Sequence, residues 1–565
     1  MYSFSEYSEK TEIYPDIQFG ADNTGSVDAT SLLQGIIDLF PESSIVINGT
    51  YLFSTLNFSE FSGKIVGNGT LKADGSSEIG LNMTSTDSMI FDGPWLDMSH
   101  TETTTTETRC RYGFYLRNAR NCKITPKVKN VRRGYPYWID GTSAAAGVGQ
   151  LDSWGSKDIY IINPTIIAFS DVPDQGAQCV VKSDYYAGDG VTYVSGGNGV
   201  KASDFTVEPS VSYPSTTERV FLLGGYYENC DRVAVLNAKY VYEANSVLNG
   251  MGKRGFNISP TCNNVHIYGG SVRGGASAVI NFTLGCTQCS AGGKFIDPQG
   301  YDSLSGESTA LRVFQGCRDI AFYDIRGKGG AIRSLWIVGC SDVTFDNVKL
   351  DANTQSETVN CIEIDAGLGG NTNSWVVSGI RIRNSQFAGK YAYAQNMTTG
   401  TATYANDGIR LRNVIFSETV AATMASFLVS PAVQDTFSIV NCEFATASFI
   451  TLTPAHAKGN KNNTFAGDYL ASSFVANRIT TDTLPDDCPV GVTQSIINGT
   501  TSAPDTNKQG VLETIKSTSN TGFRKFIVQR YYPANNAGTE YKTVYVRRGL
   551  SASNAWSAWS AVTGS

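Results

Sequence analysis

The chain has 565 residues, 17% of them charged, 57 glycines and a formal net charge of −7. That balance argues against a nucleic-acid partner and gives no attraction to a membrane surface. No apolar run of about 18 residues occurs, so no membrane insertion is expected, and the stretch before Tyr14 lacks the apolar core of an export signal.

Residues 1–14 are polar, dotted with aromatics and without period, and read as an N-terminal anchoring arm. At Phe19 the pattern sharpens. Phe19-Gly20-Ala21-Asp22 is followed by Gly25, Asp28, Ala29 and Thr30, then by an amphipathic run from Ser31 to Phe40. Asp28 suits an N-cap, where a carboxylate accepts from the first free helix N–H groups. Ile45-Val46-Ile47 reads as a strand, Gly49-Thr50-Tyr51 as a turn, and Ile65 to Thr70 as the start of the next coil.

From Ile90 onward, strand-like segments alternate with long polar loops. Thr101–Thr108, Gly141–Gly155 and Gln175–Lys201 are such loops, and in a solenoid loops of this length line one face.

Between Thr217 and Asp365 a phrase recurs at Cys230, Cys262, Cys289, Cys317 and Cys340: a cysteine, an apolar–polar alternation, then a Gly-rich kink. The intervals are 262−230 = 32, 289−262 = 27, 317−289 = 28 and 340−317 = 23. Drifting periods of this size with strand periodicity mark stacked β coils. The cysteines read as small buried fillers at the corners. Cys286 and Cys289 form a lone CxxC, and with three histidines in the chain no metal site and no cofactor is expected.

Aligning the kinks puts Tyr227, Val272, Phe295, Ile325, Val348 and Phe387 in an inward column. Glu228, Arg273, Arg326 and Lys349 form an outward one. A further strand per coil reads Leu311-Arg312-Val313, Leu335-Trp336-Ile337 and Ile362-Glu363-Ile364-Asp365. Strand alternation buries the aliphatics, so Arg312, Trp336 and Glu363 should stack outward about 4.8 Å apart. Around Thr483–Val490 the composition shifts to a linker. Residues 483–565 read as a small β module with strands near Gly510, Phe526 and Thr543, then Trp556 and Trp559.

The expected architecture is all-β: a right-handed single-stranded parallel β-helix with a short N-terminal capping helix and a small C-terminal β module. The expected divisions are 1–14, 15–72, 73–482 and 483–565.

The segment from Phe19 to Thr70 resembles the pectate-lyase-like right-handed β-helix proteins, especially bacteriophage tailspike depolymerases. In that family such a helix plugs the N-terminal end of the solenoid, where backbone and core would otherwise lie open. Val546-Arg547-Arg548-Gly549 with Trp556 and Trp559 resembles the knob domain of pyocin and phage tail fibres. That resemblance implies a trimer-end or carbohydrate-binding module. Together the resemblances imply a homotrimeric tailspike of the virion tail, which binds bacterial capsular polysaccharide and docks onto another tail protein through its N-terminal arm. The family transfers no catalytic residue to a position here.

Carboxylates and aromatics on a long rigid face are suited to glycan chemistry. Glycoside hydrolysis needs two carboxyls. Glu363 and Asp365, two apart on one strand, have Cα atoms roughly 6.5–7 Å apart and face the same way. Trp336 would offer a stacking face and Arg312 a clamp for an acidic sugar. Rival carboxylates are Glu228, beside Tyr226, and Glu243, between Tyr240 and Tyr242 and the corner beyond. Asp324, Asp346 and Asp351 lie on neighbouring coils. A lyase mechanism is also open, with Arg273, Arg326 and Lys349 neutralising a uronate, as is an adhesin that binds without cutting.

Overall fold

The computed structural model describes residues 12–101, 110–142, 155–169, 177–186, 193–194, 216–298, 308–352, 360–365, 376–389, 391–396, 403–404, 408–418, 427–428, 437–444, 450–451, 464–465, 468–469, 491–498, 509–516, 527–533, 543–550 and 555–563. Residues 1–11 of the expected anchoring arm and the Thr483–Val490 linker lie outside these, while Glu12–Ile13 pairs as a strand with Ser44 and Ile45. Among the described residues no helix is long and apolar enough to cross a membrane.

The chain coils through three strands per turn. One coil runs Lys239–Ala244, Val247–Met251 and Arg254–Ile258, and the next Asn263–Tyr268, Ser271–Gly274 and Ala278–Thr283. Each strand pairs in parallel with its counterpart one coil on: Val241 with Val265, Leu248 with Val272, Phe256 with Ile280. The first and second faces belong to one 28-stranded sheet, and the third is a separate 13-stranded sheet. This is a parallel β-helix, with an apolar core running along its axis from Ile13 to Cys442.

A sharp bend joins the first face to the second, and residues able to adopt a left-handed backbone make it. Asn245, Asp324, Asn347, Asn384, Asn413 and Asn441 all take φ between 50° and 62°. Asparagine and aspartate tolerate this region because their short side chains hydrogen-bond locally. The ladder is also cross-linked. Asn347 Nδ2 donates to Asp324 Oδ1 at 2.7 Å, and Asn413 Nδ2 to Asn384 Oδ1 at 3.0 Å. On the second face Gly327 has φ 139°, and a Cβ there would lie 1.8 Å from the Ile296 carbonyl oxygen, so only glycine fits.

The capping helix spans Thr30–Leu39, one residue earlier than expected, and buries Leu33, Ile36 and Ile37. Asp28 precedes the N-cap position, which Ala29 fills, yet Asp28 Oδ1 still accepts from the Thr30 N–H at 2.9 Å. A five-residue helix, Pro15–Phe19, comes before it and ends on left-handed Gly20. Asp22 ties the loop between the helices, accepting from the Thr24 hydroxyl at 2.7 Å and from the Ser26 and Val27 N–H groups at 2.8 Å. Chiefly through the Thr24 bond, its carboxyl is lowered to about 2.

The reading of the recurring cysteines as corner residues needs one correction. Every described cysteine is buried and free. Successive corners hydrogen-bond through Cys262, Cys286, Cys317 and Cys340, whose carbonyls accept from the strand one coil on. Cys289 lies within a strand opposite Ile320, and Cys230 sits at a different corner. The same slip affects the inward column. Register aligns Tyr227, Leu248, Val272 and Ile296, so Phe295 faces out and is 46% exposed. A one-residue slip reverses the face of a strand residue. Phe295, Arg326 and Lys349 share an outward column, whereas Arg273 pairs with Asp297 beside it.

The C-terminal strands Gly491–Asn498, Gln509–Lys516, Ile527–Pro533 and Thr543–Leu550 form an antiparallel sheet. Within it the Arg547 guanidinium lies 4.6 Å from the Trp556 ring and 4.4 Å from the Trp559 ring. Arg547 Nε also donates to Gln529 Oε1 at 2.8 Å. Both tryptophans thus hold an internal arginine.

Candidate functional site

Corner lengths single out one face. The first and second faces meet through two-residue corners from Ile162 to Lys349. Between Ile90 and Val376 the long excursions fall at the edges of the third face. Residues 102–109, 170–176, 299–307 and 353–359 precede its strands, and 143–154, 187–215 and 366–375 follow them.

The outward side of this face is a wall built by strand alternation. Leu335 and Ile337 enter the core, so Trp336 and Val338 point away from it. Register places Arg312 opposite Trp336 and Trp336 opposite Glu363, one coil per step. The residues therefore meet as the sequence ruler suggested. They do not form an open platform: Arg312 is 3% exposed, Trp336 6%, Glu363 7% and Asp365 5%.

Each group is occupied. Trp336 Nε1 donates to Asp365 Oδ2 at 2.8 Å. The Phe314 ring packs edge-on against the indole at 4.4 Å, and the Arg333 guanidinium stands 3.8 Å from its centroid. Arg333 Nε lies 2.7 Å from Glu363 Oε2 as an ion contact, its N–H directed away from hydrogen-bond geometry. Asn360 Nδ2 also donates to Glu363 Oε2. Arg312 Nε donates to Asn281 Oδ1 at 2.7 Å, and Asn281 Nδ2 to Asn257 Oδ1 at 2.7 Å. Trp336, expected as an exposed stacking face, is enclosed by Phe314 and Arg333. Arg312, expected as a clamp, is engaged by the asparagine ladder.

Sequence reasoning missed Arg333, Asn360, Phe314 and Asn281. Arg333 and Asn360 begin the strands that carry Trp336 and Glu363, where alternation gives no clue to a side chain that folds back along the wall. Phe314 and Asn281 were findable: each lies two residues or one coil from Arg312 on the same side.

A second cluster lies lower on the third face. Arg117 clamps Asp140 through Nε at 3.0 Å and Nη2 at 2.9 Å, and Trp138 Nε1 donates to Asp140 Oδ2 at 2.9 Å. Lys182 Nζ sits 4.4 Å from the Trp138 ring, and Tyr112 stacks on Tyr135 at 5.2 Å. Burial pushes the Tyr112 hydroxyl up to about 12. The wall thus repeats one device, a tryptophan N–H on a buried aspartate with a cation nearby.

The other expected residues are dispersed. Glu228 and Tyr226 point outward on the second face, where Asn249 Nδ2 donates to the Tyr226 hydroxyl at 3.3 Å. Arg273 and Arg326 are exposed on the same face. Asp346 pairs with Arg383 at 2.9 Å, and Asp351 is exposed. Glu243, expected as a rival catalytic carboxylate, points into the core. Its Oε2 lies 2.6 Å from Lys294 Nζ, both side chains essentially sealed, and its Oε1 accepts from the Ser246 N–H at 2.9 Å. Burial lowers the Lys294 ammonium despite the Glu243 charge beside it. No group of metal-ligating side chains occurs among the described residues.

No protein-family model matches the chain, and comparison with curated protein sequences finds no relative. Comparison with solved structures does find likeness in shape. The pre-mature bacteriophage phi29 gene product 12 aligns with 82% of this chain at 12% identity and a TM-score of 0.49, and the chain spans 58% of that protein. A double mutant of the tailspike protein of E. coli bacteriophage HK620 aligns with 98% of this chain and 92% of its own length, at 11% identity and a TM-score of 0.38. The catalytic unit of an alpha-1,3-glucanase from Streptomyces thermodiastaticus aligns with 82% of this chain and 70% of its own, at 13% identity and a TM-score of 0.31. At these identities and TM-scores the likeness carries no conclusion about activity or partners.

Proposed function

We propose that the chain is a receptor-binding spike of a bacterial-virus tail that binds bacterial capsular polysaccharide and shortens it by glycosidic hydrolysis at the third-face wall. One observation carries this reading. The face bordered by the long excursions is also the face where Glu363 and Asp365 project together beside Trp336 and Arg333. Long insertions on one side of a solenoid mark its binding face. Two carboxyls on one side of one strand meet the basic requirement of glycoside hydrolysis: one protonates the leaving oxygen while the other attacks or activates water. The resemblance of the N-terminal segment to tailspike depolymerases supports the setting on a virion tail. Homotrimeric assembly and docking through the N-terminal arm belong to the same proposal, as does a terminal role for the C-terminal module.

The test is to incubate the purified protein with a panel of bacterial capsular polysaccharides and measure new reducing ends. The reading predicts new ends on at least one polysaccharide without ultraviolet absorbance in the products. Absorbing products would instead establish β-elimination. Binding without new ends across the panel would make the chain an adhesin and overturn the enzymatic reading.

A further inference from the structure

The outward side of the first face carries a trough distinct from the wall. Tyr160, Phe221, Tyr242 and His266 stack up one column, with ring centroids 4.8, 5.5 and 5.5 Å apart. Above His266 that column shrinks to Ser290, Ala321 and Thr344, which register aligns with His266 below and Arg381 above. Where the column shrinks, Ala321 and Thr344 line a hollow of about 650 Å³ that extends to Asn263, Thr287 and Gln288. Two cations and two carboxylates also line it: Arg318, Asp319, Asp342 and Arg381, with Arg381 Nη1 3.8 Å from Asp342 Oδ1.

Tyr323 lies two residues beyond Ala321 on the same strand, so it emerges on the same side. Its ring rests on Gly292: a Cβ there would meet Cε2, Cζ and Cδ2 at 2.1–2.5 Å. Tyr268 leans over Gly293 in the same way and is 51% exposed, its ring 6.2 Å from that of Tyr323. Tyr323 is half-buried and stands beside the hollow, outside the residues that line it.

We propose that this trough is a second glycan-binding site, one that holds a pyranose residue without cutting the chain. The proposal rests on the reading that the ligand is a bacterial surface polysaccharide, but it uses another sheet and none of the wall residues. Three features fit a sugar. The volume lies within the roughly 300–1,000 Å³ of small-ligand sites. The Tyr323 ring beside the hollow offers an apolar surface for the C–H side of a pyranose that extends past Ala321. Carboxylates at the rim accept hydroxyls, and Arg381 donates to ring or anionic oxygens. Asp319 and Asp342 stand at an open rim, so the trough lacks the water-excluded setting that the wall provides. A holding site apart from a cutting site raises the effective concentration of a long polymer at the wall.

The experiment uses a printed panel of purified bacterial capsular and O-antigen polysaccharides, probed with fluorescent E363Q protein. Y323A and D342N are then added singly to that background. The expected result is retention on at least one polysaccharide, weakened about tenfold or more by each trough substitution. Y323A should keep the parent mass by light scattering. Undiminished retention in both trough variants would overturn the proposal, as would no retention anywhere on the panel. A fall in assembly mass on Y323A would also overturn it, by making this face a contact between copies. If the wild type cuts nothing while Y323A and D342N still lose retention, the hydrolytic reading falls and the trough stands.

Discussion

Trp336 and Asp365 lie on adjacent coils of the third face, and the indole N–H donates to the aspartate at 2.8 Å in a setting where both are almost fully enclosed. Taking one donor away from an enclosed acceptor weakens what holds it. Trp336→Phe keeps the ring against Phe314 and Arg333 but removes that donor. It should destabilise the chain by about 1–3 kcal/mol, read as a lower urea midpoint with unchanged slope. Trp336→Ala should cost more, about 3–5 kcal/mol, by adding a cavity. Equal midpoints for Trp336→Phe and the wild type would show that the hydrogen bond is not part of what closes the wall.

Glu243 and Lys294 make an ion pair inside the apolar core. Removing one partner strands a charge, whereas replacing both removes the problem. Glu243→Leu alone should cost about 3–5 kcal/mol. The double substitution Glu243→Leu with Lys294→Met should recover most of that loss or exceed wild-type stability. A double-mutant cycle by urea unfolding measures this, and a double variant as unstable as the worse single one would contradict it.

Acid should loosen the N-terminal cap through Asp22. Its folded carboxyl is lowered to about 2, chiefly by the Thr24 hydrogen bond, against about 3.9 for a free aspartate. A depressed carboxyl stabilises the fold above the unfolded value and loses that contribution as pH falls through the folded one. Wild type should therefore melt above Asp22→Asn at pH 5–7, with the gap narrowing from pH 4 and closing near pH 2. Thermal melts across that range decide it, and a gap independent of pH would refute the assignment.

Gly327 sits where any side chain meets the Ile296 carbonyl. Gly327→Ala should destabilise by more than the ~1 kcal/mol typical of an ordinary substitution, because it combines a clash with a strained φ. An unshifted melting temperature would mean the coils can separate there without cost.

The sequence made the solenoid legible because strand alternation and turn chemistry are local. Leu335, Ile337, Ile362 and Ile364 could be assigned inward, and with them the opposite orientation of Trp336 and Glu363. Register between coils was less legible. Cys289 lies in mid-strand although its surroundings copy the corner phrase, and that slip turned Phe295 the wrong way. Glu243 shows the other limit. A carboxylate in an alternating strand reads as outward unless its partner is known, and Lys294 lies two coils away. Enclosure of the wall was also beyond reach, since strand alternation gives no sign that Arg333, three residues earlier on the same strand, folds back over Trp336. The trough escaped notice because it arises from what Ser290, Ala321 and Thr344 lack.

The central claim is that Glu363 takes part in cutting polysaccharide at the third face. The direct measurement is reducing-end release from a susceptible capsular polysaccharide by wild type and by Glu363→Gln, a near-isosteric change. Loss of an acid–base or nucleophilic carboxyl should lower the rate by about 10²–10⁴-fold while leaving binding to the same polysaccharide in place. A Glu363→Gln protein that stays folded and releases ends at the wild-type rate would contradict the account.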